Sequence, residues 1–274
     1  MRLGTQDLGT GTRTLVADIT ADSLGLKPNQ VRPEIGDTMF GVSPISGGST
    51  TAATISPGIR VAAVKALDAL KEKVAPALGL DAASLVAQGG RIQSKDDPTK
   101  GLSWVDACKH IGPQPIATDG DWRPGMSSNT TSGVQFEEVK VDVETGIVRA
   151  TRILVLQDCG LVVSRLTAES QCYGGVIGSL NFALFEDRVL DRNTGQMVNP
   201  NMEWYLLAGM SDIPRIDIRL KDQPERGVIG LGEPPTVSTA AAIALAVRNA
   251  IGVPVRSLPL TPARILMSLA QQKA

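Results

Sequence analysis

The sequence predicts an α+β or mixed α/β layered fold. Two observations carry it. Several segments place apolar residues at the 3.6-residue period of amphipathic helices. The second half holds a strand-type alternation turned back on itself by a glycine, so strands precede and alternate with helices. At 274 residues the chain can form one large domain or two small ones, and it can bury a core without disulfides or zinc.

The elements follow in order. From Thr12 to Leu24, the positions Leu15, Val16, Ile19 and Leu24 share one helical face, and Gly25 suits the left-handed residue that ends a helix. Residues 30–38 read as a short strand ending in a turn. Ser43 to Gly58 is rich in small residues and reads as a loop or the start of a helix. Arg60 to Leu78 is an amphipathic helix, with Val61, Val64, Leu67, Leu70 and Val74 at helical spacing. Residues 89–133, which include Trp104, His110, Trp122 and the run MSSNTTSG, are turn-rich and weakly periodic. They read as a connector or a long surface excursion. Val139, Val141 and Val143 alternate with Lys140, Asp142 and Glu144 as a strand does. Glu144-Thr145-Gly146 then turns the chain into the strand IVRATRILVLQDCG, Gly146 supplying the positive φ. Ala168 to Phe185 reads as a buried helix. Its glycines Gly174, Gly175 and Gly178 each cost about 1 kcal/mol of propensity, which close packing would explain. Thr236 to Ile251 is an alanine-rich helix read as deeply buried and ended by Gly252. Thr261-Pro262 opens a last helix, ARILMSLAQQ, as N-cap and first helical residue.

Composition excludes several functions. Lys plus Arg number 27 and Asp plus Glu 28, a net charge of −1 that lacks the positive excess a nucleic-acid binder or a polybasic membrane-surface protein needs. With one histidine (His110) and three cysteines (Cys108, Cys159, Cys172), none spaced C-x-x-C, the chain by itself cannot build a Cys/His zinc site or a cysteine-held iron–sulfur cluster. A Ser-His-Asp triad would have to use His110, whose turn-rich setting reads rather as a surface or capping histidine. Chemistry here must rest on carboxylates, backbone groups or a bound cofactor. The N-terminal stretch lacks the apolar core of a secretory signal, and no run of about 18 apolar residues could span a bilayer. With unpaired cysteines, this leads to the expectation of a cytoplasmic protein.

Three segments could carry chemistry. The first, Gln6-Asp7-Leu8-Gly9-Thr10-Gly11-Thr12, precedes a helix. Glycines there can expose N–H groups as a nest for phosphate or another anion. It is neither G-x-G-x-x-G nor a Walker A motif, and a plain turn with a helix cap accounts for it as well. The second, Ser46-Gly47-Gly48-Ser49-Thr50-Thr51, is also small, polar and placed before a helix that its hydroxyls could simply cap. The third, Gly230-Leu231-Gly232-Glu233-Pro234-Pro235, sets a carboxylate just before one of the most apolar helices. Desolvation there would raise its pKa toward the range of a general base, unless it is a solvated loop residue. A nucleotide-binding reading of the first loop needs a strand ahead of Gly9 and an acid such as Asp22 or Glu34 on a ribose, and only eight residues precede Gly9.

The segments GTQDLGTGTRT, SGGSTTAAT, GVQFEEVKVDVETGIV, ESQCYGGVIGSLNFALFED and GLGEPP occur in that order. Together they resemble the C-terminal half of the molybdenum-cofactor-binding (large) subunit of the xanthine dehydrogenase / aldehyde oxidase family. The resemblance runs from about residue 4 to residue 269 and is weakest over 86–130. It implies two mixed α/β subdomains forming the second half of a molybdenum-cofactor-binding domain: residues 1–130 with the glycine-rich loops, and 131–274 with a catalytic glutamate. It also implies an oxidoreductase, a molybdenum hydroxylase that oxidises an aldehyde, an aromatic N-heterocycle or an aromatic thioester with water as oxygen source. Glu233 falls on the family's general base toward Mo–OH. Gly9, Thr10, Gly11 and Thr12, with Gly47, Gly48, Ser49, Thr50 and Thr51, match segments that hold the pterin and its phosphate. Gln171 matches a glutamine that hydrogen-bonds the cofactor near the metal. The cofactor so implied is molybdopterin, in some bacterial-type members its cytosine dinucleotide form. Its dithiolene carries the Mo, so no protein metal ligand is expected.

The first half of the family's large subunit is not represented. The chain is therefore expected to be a split subunit or an excised fragment, active only with partners. These are a chain supplying the first half of the molybdenum domain, an iron–sulfur subunit and an FAD subunit, with a small-molecule substrate and neither nucleic acid nor membrane. The alternative is a non-catalytic assembly or structural subunit. Cys172, beside Gln171, reads as a buried structural cysteine.

Overall fold

The computed structural model describes residues 1–128 and 130–273; Asn129, within the run MSSNTTSG, and Ala274 lie outside the described residues. The chain divides into two compact units, Met1–Thr130 with residues 160–167 and 223–230, and Thr131–Cys159 with residues 168–222 and 231–274.

In the first unit, strand β1 (Arg2–Leu3) pairs in parallel with β2 (Glu34–Ile35), and helix α1 (Thr12–Leu24) lies between them in sequence. Helix α1 has the bounds its periodicity gave, and Gly25 closes it at φ 65°. Helix α2 runs Thr51–Leu78, starting nine residues before the Arg60 expected from sequence. Ser43–Gly58 read as a loop or the start of a helix; Pro57 stands inside the helix, where Ile55 and Ile59, four residues apart, bury on one face, and that packing outweighs the lost backbone bond. The N-terminal part of α2 joins α1 in a core of Leu3, Val16, Ile19, Ile35, Ile55 and Ile59. Its C-terminal part (Leu67, Leu70, Val74) packs on an antiparallel sheet of β3 (Leu85–Gln88), β4 (Arg91–Ser94) and β5 (Gly101–Ser103), followed by the short helix α3 (Trp104–Cys108). This corrects the reading of 89–133 as a connector. Ile92 and Ala107 are fully buried, and strands of three or four residues are too short to show a period. A last parallel pair joins β6 (Ser127–Ser128) to β10 (Val228–Ile229).

The second unit is a three-stranded sheet, in order β7 (Gly133–Val141), β8 (Val148–Asp158), β9 (Arg215–Lys221), covered on one face by helices α4 (Arg165–Leu184), α5 (Thr236–Ile251) and α6 (Pro262–Lys273). The β7–β8 hairpin is antiparallel, with a bulge between Glu138 and Val139; β9 runs parallel to β8. Gly146 turns the hairpin at φ 76°, and a β-carbon there would also collide with the carbonyl of Pro262. The core joins Ile153 and Val155 of the sheet to Val176 and Leu180 of α4, Ile243 and Val247 of α5, Leu260, and Ile265 of α6. Thr261 opens α6 as expected, its hydroxyl accepting from the Arg264 N–H at 3.4 Å. Two expectations of deep burial need correction. Helix α5 buries only the stripe Thr239, Ile243, Val247 and Ile251 and leaves Val237 and Leu245 exposed; α4 leaves Tyr173 and Phe182 exposed. Among the described residues, no helix is long and apolar enough to cross a membrane.

Candidate functional site

The first unit brings two of the three sequence-predicted segments side by side. Its opening residues lie along residues 43–46. The Gly4 N–H donates to Ser43 Oγ at 2.9 Å, Thr5 Oγ1 to the Pro44 carbonyl at 2.6 Å, and the Ser46 N–H to Gln6 Oε1 at 3.0 Å. Gln6 thereby ties the first loop to the second, a role the sequence reading did not give it. Neither neighbour along the chain signals it.

The first loop, Gly9 to Thr12, leads into α1 through two left-handed glycines, Gly9 at φ 90° and Gly11 at φ 84°. Gly9 and Thr10 are exposed, Gly11 is half-buried and Thr12 is buried. The expected nest of backbone N–H groups does form, but it is turned onto the chain's own Asp7. The Gly9 N–H donates to Asp7 Oδ1 at 3.0 Å and the Arg13 N–H to Asp7 Oδ2 at 3.1 Å. Partial burial pushes the Asp7 carboxyl up. The backbone N–H groups of Arg13, Gly9, Thr12 and Gly11 outweigh it and hold the carboxyl below its ordinary range. The nest has the geometry expected for an anion, and Asp7 is the anion it holds.

The second loop is stitched by its own hydroxyls. Thr51 Oγ1 lies 3.0 Å from Ser46 Oγ and accepts from the Gly47 N–H at 3.2 Å, and Thr50 Oγ1 donates to the Gly47 carbonyl at 3.0 Å. Gly48 and Ser49 are both left-handed, at φ 59° and 58°, which is uncommon for serine. Gly48 and Thr50 are exposed; Gly47, Ser49 and Thr51 are half-buried. The first glycine of the third segment, Gly230, meets this loop directly. A β-carbon on it would overlap the Ser49 carbonyl, so the close approach needs glycine.

Glu233 belongs to the second unit and stands in the turn that opens α5. Its carbonyl accepts from the Thr236 N–H at 2.8 Å, and the Pro234 carbonyl accepts from Val237 at 3.2 Å. The side chain is exposed, so the desolvation expected of it is not supplied by the described residues. Gln171 lies half-buried on α4 beside Cys172, whose thiol burial pushes up to about 12, as fits an inert buried cysteine. His110 is exposed, in a short turn after α3.

The desolvated carboxylate is a different one. Glu137 lies on the inner face of β7, opposite the fully buried Ile153, and neither of its shielded oxygens has a hydrogen-bond partner. Burial alone pushes its carboxyl from 4.5 up to about 8. The alternation read from Val139 and Val141, carried two residues back, would have placed Glu137 inside.

The donors of the two loops are neutral hydroxyls and backbone N–H groups, and among the described residues no cluster of three His, Cys, Asp or Glu could hold a metal. The hydroxyls and N–H groups fit a polar, hydrogen-bonding ligand.

Residues 1–214 match the family model of the molybdopterin cofactor-binding domain. The chain is 32% identical over 268 residues to the aldehyde oxidoreductase molybdenum-binding subunit PaoC of Escherichia coli O157:H7, a match covering 96% of this chain and 36% of that protein. It is 30% identical over 277 residues to the putative xanthine dehydrogenase molybdenum-binding subunit XdhA of Escherichia coli K12, again 96% of this chain and 36% of the relative. Among solved structures, quinoline 2-oxidoreductase from Pseudomonas putida 86 superposes with a TM-score of 0.85 at 25% identity, over 98% of this chain and 36% of that one. The chain thus spans about 36% of the length of the curated relatives it matches. The match over residues 1–214 and the identity along nearly the whole chain place this protein in the molybdopterin cofactor-binding domain family of the molybdenum-binding subunits of aldehyde oxidoreductases and xanthine dehydrogenases.

Proposed function

We propose that the chain is the part of a molybdenum hydroxylase that holds the pterin cofactor on two glycine-rich loops and supplies Glu233 as general base. The observation that supports this reading is the pairing of the loops. Gly4, Thr5 and Gln6, just ahead of Gly9–Thr12, are bonded to Ser43, Pro44 and Ser46, just ahead of Gly47–Thr51, and the resemblance assigns both loops to one ligand. When bound, the group supplies the metal and the two-electron redox chemistry. The loops' remaining work is recognition. Hydroxyls of Thr10, Ser49 and Thr50 and the N–H groups around Gly47 and Gly48 meet a polar pterin or phosphate edge, and Gln171 adds an amide contact. A dinucleotide form of the cofactor would extend the same set of contacts. Because Asp7 already fills the nest before α1, a phosphate here relies on those hydroxyls more than on the helix terminus. The carboxylate of Glu233 takes the proton from the water-derived oxygen nucleophile as that oxygen attacks the electrophilic carbon of an aldehyde, an N-heterocycle or an aromatic thioester. Iron–sulfur and FAD partners in a cytoplasmic complex carry the electrons away.

The test is Glu233→Gln in the assembled enzyme. Turnover should fall by a factor of about 100 or more with substrate affinity nearly kept; near-normal turnover ends the assignment. Metal and pterin analysis of the complex purified with its partners, then an oxidation screen over the three substrate classes, identifies the substrate. A second reading is a non-catalytic assembly or structural subunit. Purification with no partner chain and no molybdenum or pterin would establish it.

A further inference from the structure

The turn that carries Glu233 is gripped from three elements of the second unit, and the grip centres on one peptide. Pro235 is buried although Glu233, two residues before it, is exposed. From β7, the Gln135 side-chain amide donates to the Pro235 carbonyl at 2.7 Å. A carbonyl can only accept, so the amide nitrogen must face it and the amide oxygen must face Thr239 of α5. The Thr239 hydroxyl donates to that oxygen and lies 3.3 Å from the Pro235 carbonyl as well. From α4, Gly175 presses on the same residue. A β-carbon there would lie 2.9 Å from Pro235 Cβ and 3.1 Å from the Thr236 nitrogen.

Gln135 and Thr239 are both buried, at 8% and 0% exposure, beside the apolar core of the second unit. A buried amide and hydroxyl are costly unless they bond, and here their bonds go to each other and to one backbone carbonyl. Between the gripped carbonyl and Glu233 stand only Pro234 and Pro235, whose rings fix φ, and the Thr236 N–H holds the Glu233 carbonyl. Two backbone-directed hydrogen bonds and two fixed φ angles thus restrict the path from β7 to the backbone of Glu233.

We propose that Gln135 and Thr239 are positioning residues for Glu233, holding the GLGEPP turn so that its carboxylate keeps one orientation. This rests on the reading of Glu233 as the base. The buried hydroxyl and amide are kept for geometry rather than for stability.

The experiment compares Thr239→Val, which removes the hydroxyl at nearly constant volume, with Thr239→Ser, which restores it, and with Glu233→Gln, all in the assembled enzyme. Hydrogen exchange is read at the Thr236 and Val237 amides, and turnover is read with benzaldehyde as reductant and ferricyanide as acceptor. In T239V these amides should exchange about tenfold faster, with Ile243–Ile251 unchanged. Its kcat should fall about tenfold at constant KM, and T239S should return both values to within about twofold of wild type. Wild-type exchange in T239V, or uniformly faster exchange along α5 that serine does not restore, overturns the proposal. If E233Q keeps its turnover the base assignment falls, and the grip is still judged by the exchange of T239V.

Discussion

Replacing Glu137 with leucine should stabilise the second unit and remove most of its pH dependence. Glu137 sits between Gln135 and Val139 on the inner face of β7, its two oxygens shielded from water and without partners, and burial raises its carboxyl from 4.5 to about 8. The folded chain therefore keeps a proton that the unfolded chain releases above about pH 4.5. Between about pH 4.5 and 8 the folded state binds more protons, so stability falls as pH rises through that window. At about 1.36 kcal/mol per pH unit the whole window amounts to about 5 kcal/mol. The residue as a whole is only half-buried, and solvent screening brings the expected loss to about 2 kcal/mol. Leucine at this position has nothing to titrate and adds apolar contact with the core. Urea unfolding of wild type and E137L, followed in parallel by circular dichroism, measures the gap. It should be about 1 kcal/mol near pH 5 and about 3 kcal/mol near pH 8.5, with the variant nearly flat between. A gap that stays constant across the series, or a wild type that gains stability toward pH 8, would refute the reasoning.

Asp7→Ala should cost about 1 kcal/mol at neutral pH, because four backbone N–H groups lose their acceptor. The Asp7 carboxyl is held below its unfolded value, so this contribution is complete above about pH 4 and lost as pH falls through the folded value; thermal melts of D7A and wild type should converge in acid. Gly230→Ala forces a β-carbon onto the Ser49 carbonyl, a backbone atom that cannot rotate away. A loss of about 2 kcal/mol or more is expected, with faster proteolysis of the 46–51 loop than of α6 as the local readout. Ile243→Ala empties a fully buried position in the core of the second unit and should cost about 2 to 5 kcal/mol, measured by the same urea titration.

Much of the local architecture was legible before the fold. Helix α1 ends where Leu24 and Gly25 said it would, the hairpin turns at Gly146, and Thr261 opens α6. Each of these is set by covalent geometry over a few residues: a left-handed glycine, a two-residue alternation, a hydroxyl before a proline. The errors share a cause too. Helix α2 passes through Pro57 because Ile55 and Ile59 bury on either side of it, and β4 and β5 were missed because three or four residues are too few to show a period. Helices α4 and α5 looked buried all round because glycine and alanine carry little sign of which face they present. Leu245 and Phe182 are in fact exposed.

The candidate site divides in the same way. The sequence by itself determined the motifs, their order and so the family, since those are properties of residue type and spacing. Only the tertiary structure decided what each motif meets. Gln6 reaches Ser46 across 40 residues, Asp7 claims the nest expected for an outside anion, and Gln135 reaches Pro235 across 100. It also left Glu233 exposed and shielded the two carboxylate oxygens of Glu137. Hydrogen-bond partners and desolvation depend on which surface comes to cover a residue, and that surface is brought by chain segments far away in sequence.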